Sequence, residues 1–400
     1  MFKKILSLCL AVLMVAALAV SMASCNKSDA DFKLGVILLH SETSTYDLNF
    51  IEAVNRAKEQ LGLSDSQVIM MRDIPESNAV YEAAADLVDQ GCDVIFANSF
   101  GHETYLLKAA KEFTDVEFCH ATGTMAHTEK LDNFHNAFAS IYEGRYLAGV
   151  AAGMKLNEMI EAGTITAEEA KMGYVGAFTY AEVISGYTSF YLGAKSVCPS
   201  VTMDVQFTGE WYDEIKEKDA ATALINNNCV LISQHADSMG APSVCEEKNV
   251  PNVSYNGSTV ASCPNTFIVS SKIDWTPYFV YICEQAMAGK AIAADWTGTL
   301  ATGSVALSDV NTQAAAAGTV EKLAEVKAAL QDGSLKVFNT ATFTKDGETL
   351  TSYMADVDTD ETFTPDTEAI KDGYFHESEY RSAPYFDIQI DGITLLNTKF

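Results

Sequence analysis

The residues that could do chemistry cluster in short polar loops at the ends of apolar runs. Tyr46, Phe100, Tyr180 and Trp211 are the rings in these loops. Ser44, Asp47, Ser99, Thr122, Glu182, Asp237 and Asn256 are interleaved with them. Rings projected into a cleft can sandwich a flat guest, and an aromatic pair contributes about 0.5–1.5 kcal/mol beyond area burial. Carboxylates and amides beside the rings can accept from or donate to the guest's edge. Any one ring taken alone fits a rim or hinge packing role equally well. Taken together, rings and acids at several strand ends favour a planar, hydrogen-bonding ligand that is uncharged or cationic.

Catalytic patterns are absent. The chain contains no GxSxG, no HExxH and no GxxxxGK[ST], so no nucleophile, metal-bound water or phosphate cradle is signalled. His120, His127 and His135 stand seven and eight residues apart and share no one helix, since His120 ends a strand-like run. No CxxC pair occurs among the nine cysteines. Binding without turnover, and without a metal or cofactor, is the expectation.

These loops need elements to hold them. Residues 32–61 read as a buried strand (Leu34 to Leu39), a polar loop (His40 to Asp47) and a helix whose stripe is Leu48, Ile51, Val54, Ala57 and Leu61. The same unit returns at 171–194. Gly35 maps onto Gly173 at an offset of 138, and Cys92 onto Cys229 at an offset of 137. Two segments with nearly one offset predict two lobes of like winding. Strands at 93–97, 116–120 and 136–140 alternate with helices at 79–90 and 104–113. A glycine- and alanine-rich helix follows at 142–154. The second half repeats the rhythm, and 337–344 and 386–396 read as further β segments. Ligands of open α/β sheets bind beyond the carboxyl ends of the strands, where these loops lie.

The chain has 400 residues, enough for two cores, and a net charge of −28. Such an acidic surface repels phosphate backbones, so nucleic acid is excluded as a partner. Lys3 and Lys4, the apolar run from Ile5 to Val20 and Met22-Ala23-Ser24-Cys25 read as a targeting segment. It resembles a bacterial lipobox, in which Cys25 becomes lipid-modified; residues 26–31 are then a polar tether. A plain secretory signal cut nearby is the alternative. Cys245 and Cys263 could bridge.

The runs Ser44-Thr45-Tyr46-Asp47, Ala97-Asn98-Ser99-Phe100-Gly101, Tyr142-Glu143-Gly144-Arg145-Tyr146-Leu147-Ala148-Gly149, Trp211-Tyr212-Asp213, Gln234-His235-Ala236-Asp237-Ser238 and Trp275-Thr276-Pro277-Tyr278 occur in an order that resembles the basic membrane protein (BMP) family. These are substrate-binding lipoproteins of ABC importers with a type I periplasmic-binding-protein fold. The resemblance implies an α/β chain of two doubly wound lobes joined by a multi-strand hinge. It assigns 31–140 plus 266–291 to lobe 1, and 141–265 plus 292–400, with a C-terminal extension, to lobe 2. It implies a purine base or purine nucleoside held between Tyr46 and Trp211, read at its edge by Asp237 and Asn256. Ser44, Phe100, Thr122 and Glu182 complete the expected ligand-binding set. The family's ribose-anchoring Asp and Lys fall at Ser258 and Asp274 here, which resembles the branch that binds free bases. The implied partners are an ABC permease and ATPase, with a lipid anchor on the extracytoplasmic side of the cell membrane. Two other functions fit the same residues less well: a receptor ectodomain that senses the same ligand, and a secreted nucleoside-processing enzyme.

Overall fold

The computed structural model describes residues 31–357 and 364–399. The targeting segment 1–25 with Cys25, and the tether up to residue 30, lie outside the described residues.

Two sheets organise the chain. The first is all parallel, in the order β11-β5-β4-β3-β1-β2. Its strands are β1 (Leu34–Ile37), β2 (Val68–Met71), β3 (Val94–Ala97), β4 (Glu117–Ala121), β5 (Phe134–Ala139) and β11 (Asp295–Gly298). The second runs β12-β10-β9-β8-β6-β7, with the strand Ile393–Leu395 added at the β7 edge. Its members are β6 (Lys171–Gly176), β7 (Thr202–Phe207), β8 (Leu231–Gln234), β9 (Asn252–Tyr255), β10 (Phe267–Ile273) and β12 (Val305–Leu307). The order β5-β4-β3-β1-β2 thus recurs as β10-β9-β8-β6-β7. The repeat seen in the sequence has a physical basis at its glycines. A Cβ on Gly35 would press on Leu87 and Cys92, and one on Gly173 on Leu224, Ile232 and Cys229. At both places the side chains packed on the strand come so close that an added carbon would have to displace them.

Helix Thr45–Leu61 starts where Ser44, in extended conformation, accepts a hydrogen bond from Asp47 N; the helix takes three residues that the sequence assigned to the loop. Helices Ile141–Glu161 and Ala181–Val197 cross at Gly149 and Gly193. Added carbons there would overlap the carbonyl oxygens of Phe190 and Tyr146, so glycine is what lets these backbones touch.

The expected lobe boundaries need correction. β10, within 266–291, belongs to the second sheet, paired with β9 and β12; only the helix that follows it, Thr276–Met287, packs on lobe 1. β11, placed in lobe 2 from sequence, pairs with β5 in the first sheet. The chain therefore crosses between lobes near Ser140, between Ile273 and Thr276, and between Gly298 and Val305. The crossings are tied together by Ser140 N to Gly298 O (2.8 Å) and Asp274 N to Ser304 O (2.7 Å). Trp275, just past the second crossing, is core: it stacks on Phe50 with centroids 4.6 Å apart.

The extension is not a β unit over 337–344. Phe338 instead stacks on Phe386 at 4.1 Å, and within 386–396 only Ile393–Leu395 forms a strand. The extension touches both lobes. Ser382 N donates to Asp295 Oδ2 of β11 (2.7 Å), and Ile393–Leu395 pairs with β7. The seven described cysteines are all buried and none is in a disulfide, so Cys245 and Cys263 do not bridge.

Candidate functional site

Between the lobes, at the carboxyl ends of both sheets, lies a cavity with about 390 Å³ of empty space, part of it open to solvent. Lobe 1 lines it with Leu39, Tyr46, Asp47, Ser99, Phe100 and Thr122; lobe 2 lines it with Glu182, Trp211, His235, Asp237, Tyr255 and Asn256. Seven of the eight residues proposed from sequence meet here. Ser44 does not line the cavity. It is fully buried and its hydroxyl is committed to capping the helix. Leu39, Asp47, Ser99, His235 and Tyr255 join the set. Of these, Asp47, Ser99 and His235 stood in the loop motifs, whereas Leu39 and Tyr255 ended strand-like runs and read as core.

Local bonds hold the lobe 1 wall. Asn98, fully buried, accepts from Leu39 N (3.0 Å), donates to Asp47 Oδ1 (2.8 Å), and offers its carbonyl to the Tyr46 hydroxyl (2.7 Å). Asp47 also accepts from His40 N (3.0 Å). Its carboxylate thus serves lobe 1 itself.

The lobe 2 wall carries the uncommitted acid. Burial, and then the negative charges of Asp47, Glu217 and Glu182, push Asp237 well above the usual carboxylate range; the Asn256 amide (3.3 Å) offsets part of this. The shift is toward the protonated form, which can donate a hydrogen bond as well as accept one. His235 is lowered, chiefly by burial, and is neutral at pH 7. Beneath it lies Arg145, fully buried, with the rings of Tyr174, Phe190 and Tyr255 about its guanidinium at 4.9–5.4 Å. A directed chain fits these atoms: Arg145 Nη2 to the Tyr174 oxygen (3.2 Å), Tyr174 O–H to His235 Nδ1 (3.2 Å), and His235 Nε2–H to Glu182 Oε1 (3.4 Å). A buried cation deep in lobe 2 is thereby connected to a carboxylate of the cavity. The remaining bonds of Arg145 go to Ser233 Oγ, Ser271 Oγ and Ser254 O.

The lobes are shut on each other. Thr45 donates from its N and its Oγ1 to the Asp237 carbonyl (3.0 and 3.1 Å). Phe100 meets Tyr180 at 5.1 Å, and His40 meets Tyr212 at 5.4 Å. Trp211 is seated edge-on against Phe178 at 5.0 Å. Ser258 and Asp274, the places of the expected ribose anchors, do not line the cavity; Asp274 instead holds Arg56 at 3.0 Å.

Residues 43–335 match the family model described as ABC transporter substrate-binding protein PnrA-like. The chain belongs to the Bmp family. Among relatives of this Bmp-family chain, a purine-binding protein of Brucella abortus is 35% identical over 190 residues, covering 48% of this chain and 50% of that one. A putative ABC transporter glucose-binding protein of Haloferax volcanii is 32% identical over 229 residues, covering 57% and 54%. The chain thus spans about half the length of the curated relatives it matches. Its fold is similar to that of an ABC transporter solute-binding protein from Conexibacter woesei, with TM-score 0.62 and 20% identity over 76% of this chain and 98% of the other. The extension beyond residue 335 lies outside the family match.

Proposed function

We propose that this Bmp-family chain is the extracytoplasmic binding lipoprotein of an ABC importer, taking a purine base or purine nucleoside into the cleft and presenting it to a membrane permease. The observation that carries this reading is that Tyr46 and Trp211, from opposite lobes, line one cavity with Glu182, Asp237 and Asn256. A heteroaromatic ring system offers two π faces to rings and an edge of N–H groups and ring nitrogens to carboxylates and an amide. Among the described residues, no lysine or arginine lines the cavity, which disfavours a phosphorylated guest. The Brucella relative named for purine binding supports the same reading. Ligand bridging both walls favours the closed form by its differential affinity, and closure is a hinge motion at the three crossings. No bond is made or broken. Cys25, if acylated after removal of residues 1–24, anchors the protein through two or more chains.

Calorimetric titration of the full chain with adenine, hypoxanthine, guanine, adenosine, guanosine and glucose tests the ligand. Binding of purine compounds and not glucose is the expected result. Binding of glucose alone would sink the reading. Recovering an added nucleoside unchanged after prolonged incubation checks the absence of turnover. Partition of the expressed protein into detergent, lost on Cys25→Ser, checks the anchor.

A further inference from the structure

A second cavity adjoins the first. It holds about 860 Å³ of empty space, including its open mouth. Phe100, Thr122 and Glu182 line both cavities, so these three residues form the wall that the two share. Its far wall comes from the C-terminal extension: Asp356, Arg381, Ala383, Pro384, Tyr385 and Asp387. None of these six belongs to the family-matched region, which ends at residue 335.

The far wall is built, not draped. Glu377, buried, accepts from Tyr385 N (2.8 Å) and Phe386 N (2.7 Å). Arg381, also buried, donates from Nε to Ala383 O and from Nη2 to Pro384 O, both at 3.2 Å. Ser382 ties this turn to β11 of lobe 1, while Gln389 Oε1 accepts from the Tyr187 hydroxyl of lobe 2 at 3.0 Å. The position of Tyr385 and Asp387 is thus set from both lobes.

A separate observation at the junction points to a ligand. Thr122 is only 6% exposed, its Oγ1 has no hydrogen-bond partner, and its φ is 68°. A β-branched residue is a genuine outlier in that region, and such strain clusters at ligand clamps. A buried hydroxyl without a partner is a group that a guest could satisfy.

We propose that this annex is a second subsite, completed by the extension, that takes an uncharged polyhydroxyl substituent of the ligand: the sugar of a nucleoside. The proposal rests on the purine reading of the first cavity and extends it. Thr122 and Thr124 hydroxyls can donate or accept, and carboxylates accept from a diol. Glu182, Asp356 and Asp387 outnumber the single guanidinium of Arg381, two of whose donors are already engaged. The annex therefore suits hydroxyls and repels a phosphate.

Calorimetry on the full chain decides the matter, with adenine, adenosine and adenosine monophosphate as probes and the guanine series in parallel. The nucleoside is expected to bind at least about tenfold more tightly than its base, and the monophosphate at least about tenfold more weakly than the nucleoside. Thr122→Val keeps shape and strain but removes Oγ1. Asp387→Asn changes an exposed side chain and keeps an amide oxygen that can still accept from the Tyr353 hydroxyl, which Asp387 Oδ1 holds at 2.6 Å. Each should cut nucleoside affinity by about fivefold or more, and Asp387→Asn, which lies outside the first cavity, should leave base affinity within about twofold. A nucleoside that binds no more tightly than its base, or an Asp387→Asn variant that weakens both alike, overturns the annex and leaves the first cavity's reading standing. No binding by any purine compound overturns both.

Discussion

The loops after β4 and β9 occupy equivalent places in the two sheets. Each begins with a residue in the left-handed region, Thr122 at φ 68° and Asn256 at φ 65°, and each such residue donates its N–H to the neighbouring strand, at Ala137 O and Ser271 O. The scaffold is therefore duplicated down to a backbone angle, yet the chemistry is not. Lobe 1 spends its cavity carboxylate, Asp47, on Asn98 and His40 N. Lobe 2 presents Glu182 and Asp237, wired from behind to a buried cation or pushed toward protonation by burial and neighbouring charge. A doubled fold supplies two like walls, and side-chain substitution at matching positions makes one wall a platform and the other a reader.

The sharpest way to break this comparison is at the rings. Trp211→Ala should cost about 3 kcal/mol of purine affinity, roughly a hundredfold, because its removal opens one whole face of the cavity. Phe100→Ala, at a rim position 42% exposed, should cost about 1 kcal/mol or less. Equal losses in calorimetry would mean that the lobes do not divide the work as described.

Next in size is the response to acid. His102 and His120 of lobe 1 are buried and lowered by burial to about 4. Their folded values lie below the unfolded value, so the stability they contribute is complete above about pH 6.5 and is lost as pH falls toward 4. The expected loss over that window is on the order of 2–3 kcal/mol for each histidine. His235 adds to it in lobe 2 with the same sign. Thermal melts at pH 7 and pH 5 read the effect, and His102→Gln with His120→Gln should flatten the pH slope. Amide exchange should quicken in lobe 1 before lobe 2; the reverse order would contradict the assignment.

Smaller again is the pair of strand glycines. A carbon at Gly173 meets Leu224 Cβ at 3.0 Å and Cys229 Cβ at 3.2 Å, atoms that no rotamer can move. At Gly35 the nearest atoms are the ends of Leu87, at 2.9 and 3.1 Å, and Cys92 Sγ at 3.2 Å. Gly173→Ala should cost about 2 kcal/mol and Gly35→Ala about 1, measured by denaturant melts. The smallest contrast is at the matched left-handed residues. Thr122→Gly should stabilise the free protein by about 1 kcal/mol, whereas Asn256→Gly should change it by only a few tenths, because asparagine tolerates that angle.

Much of this was legible along the chain. Buried strands announce themselves as apolar runs, and the Gly35/Gly173 and Cys92/Cys229 offsets exposed the duplication, because close helix-on-strand packing demands glycine wherever it recurs. The loop residues of the cavity were legible because ligands of such sheets bind at strand ends, where rings and acids have no core to fill. Ser44 misled because a capping hydroxyl and a ligand-binding hydroxyl look alike in sequence, although Asp47 three residues on was a hint of the cap. Tyr255 was missed because a tyrosine ending a short buried strand is indistinguishable from core until its neighbours are known.

Periodicity and residue type by themselves determined the elements, the doubling and the polar loops, since each depends on contacts within a few residues or on one strand's own burial. Only the tertiary structure decided that β10 and β11 exchange lobes, that Arg145 reaches Glu182 through two rings, and that residues 377–387 close a wall beside the cleft. Those outcomes turn on which distant partners satisfy a strand edge, a buried charge or a carbonyl, and that choice is made by the whole folded chain at once.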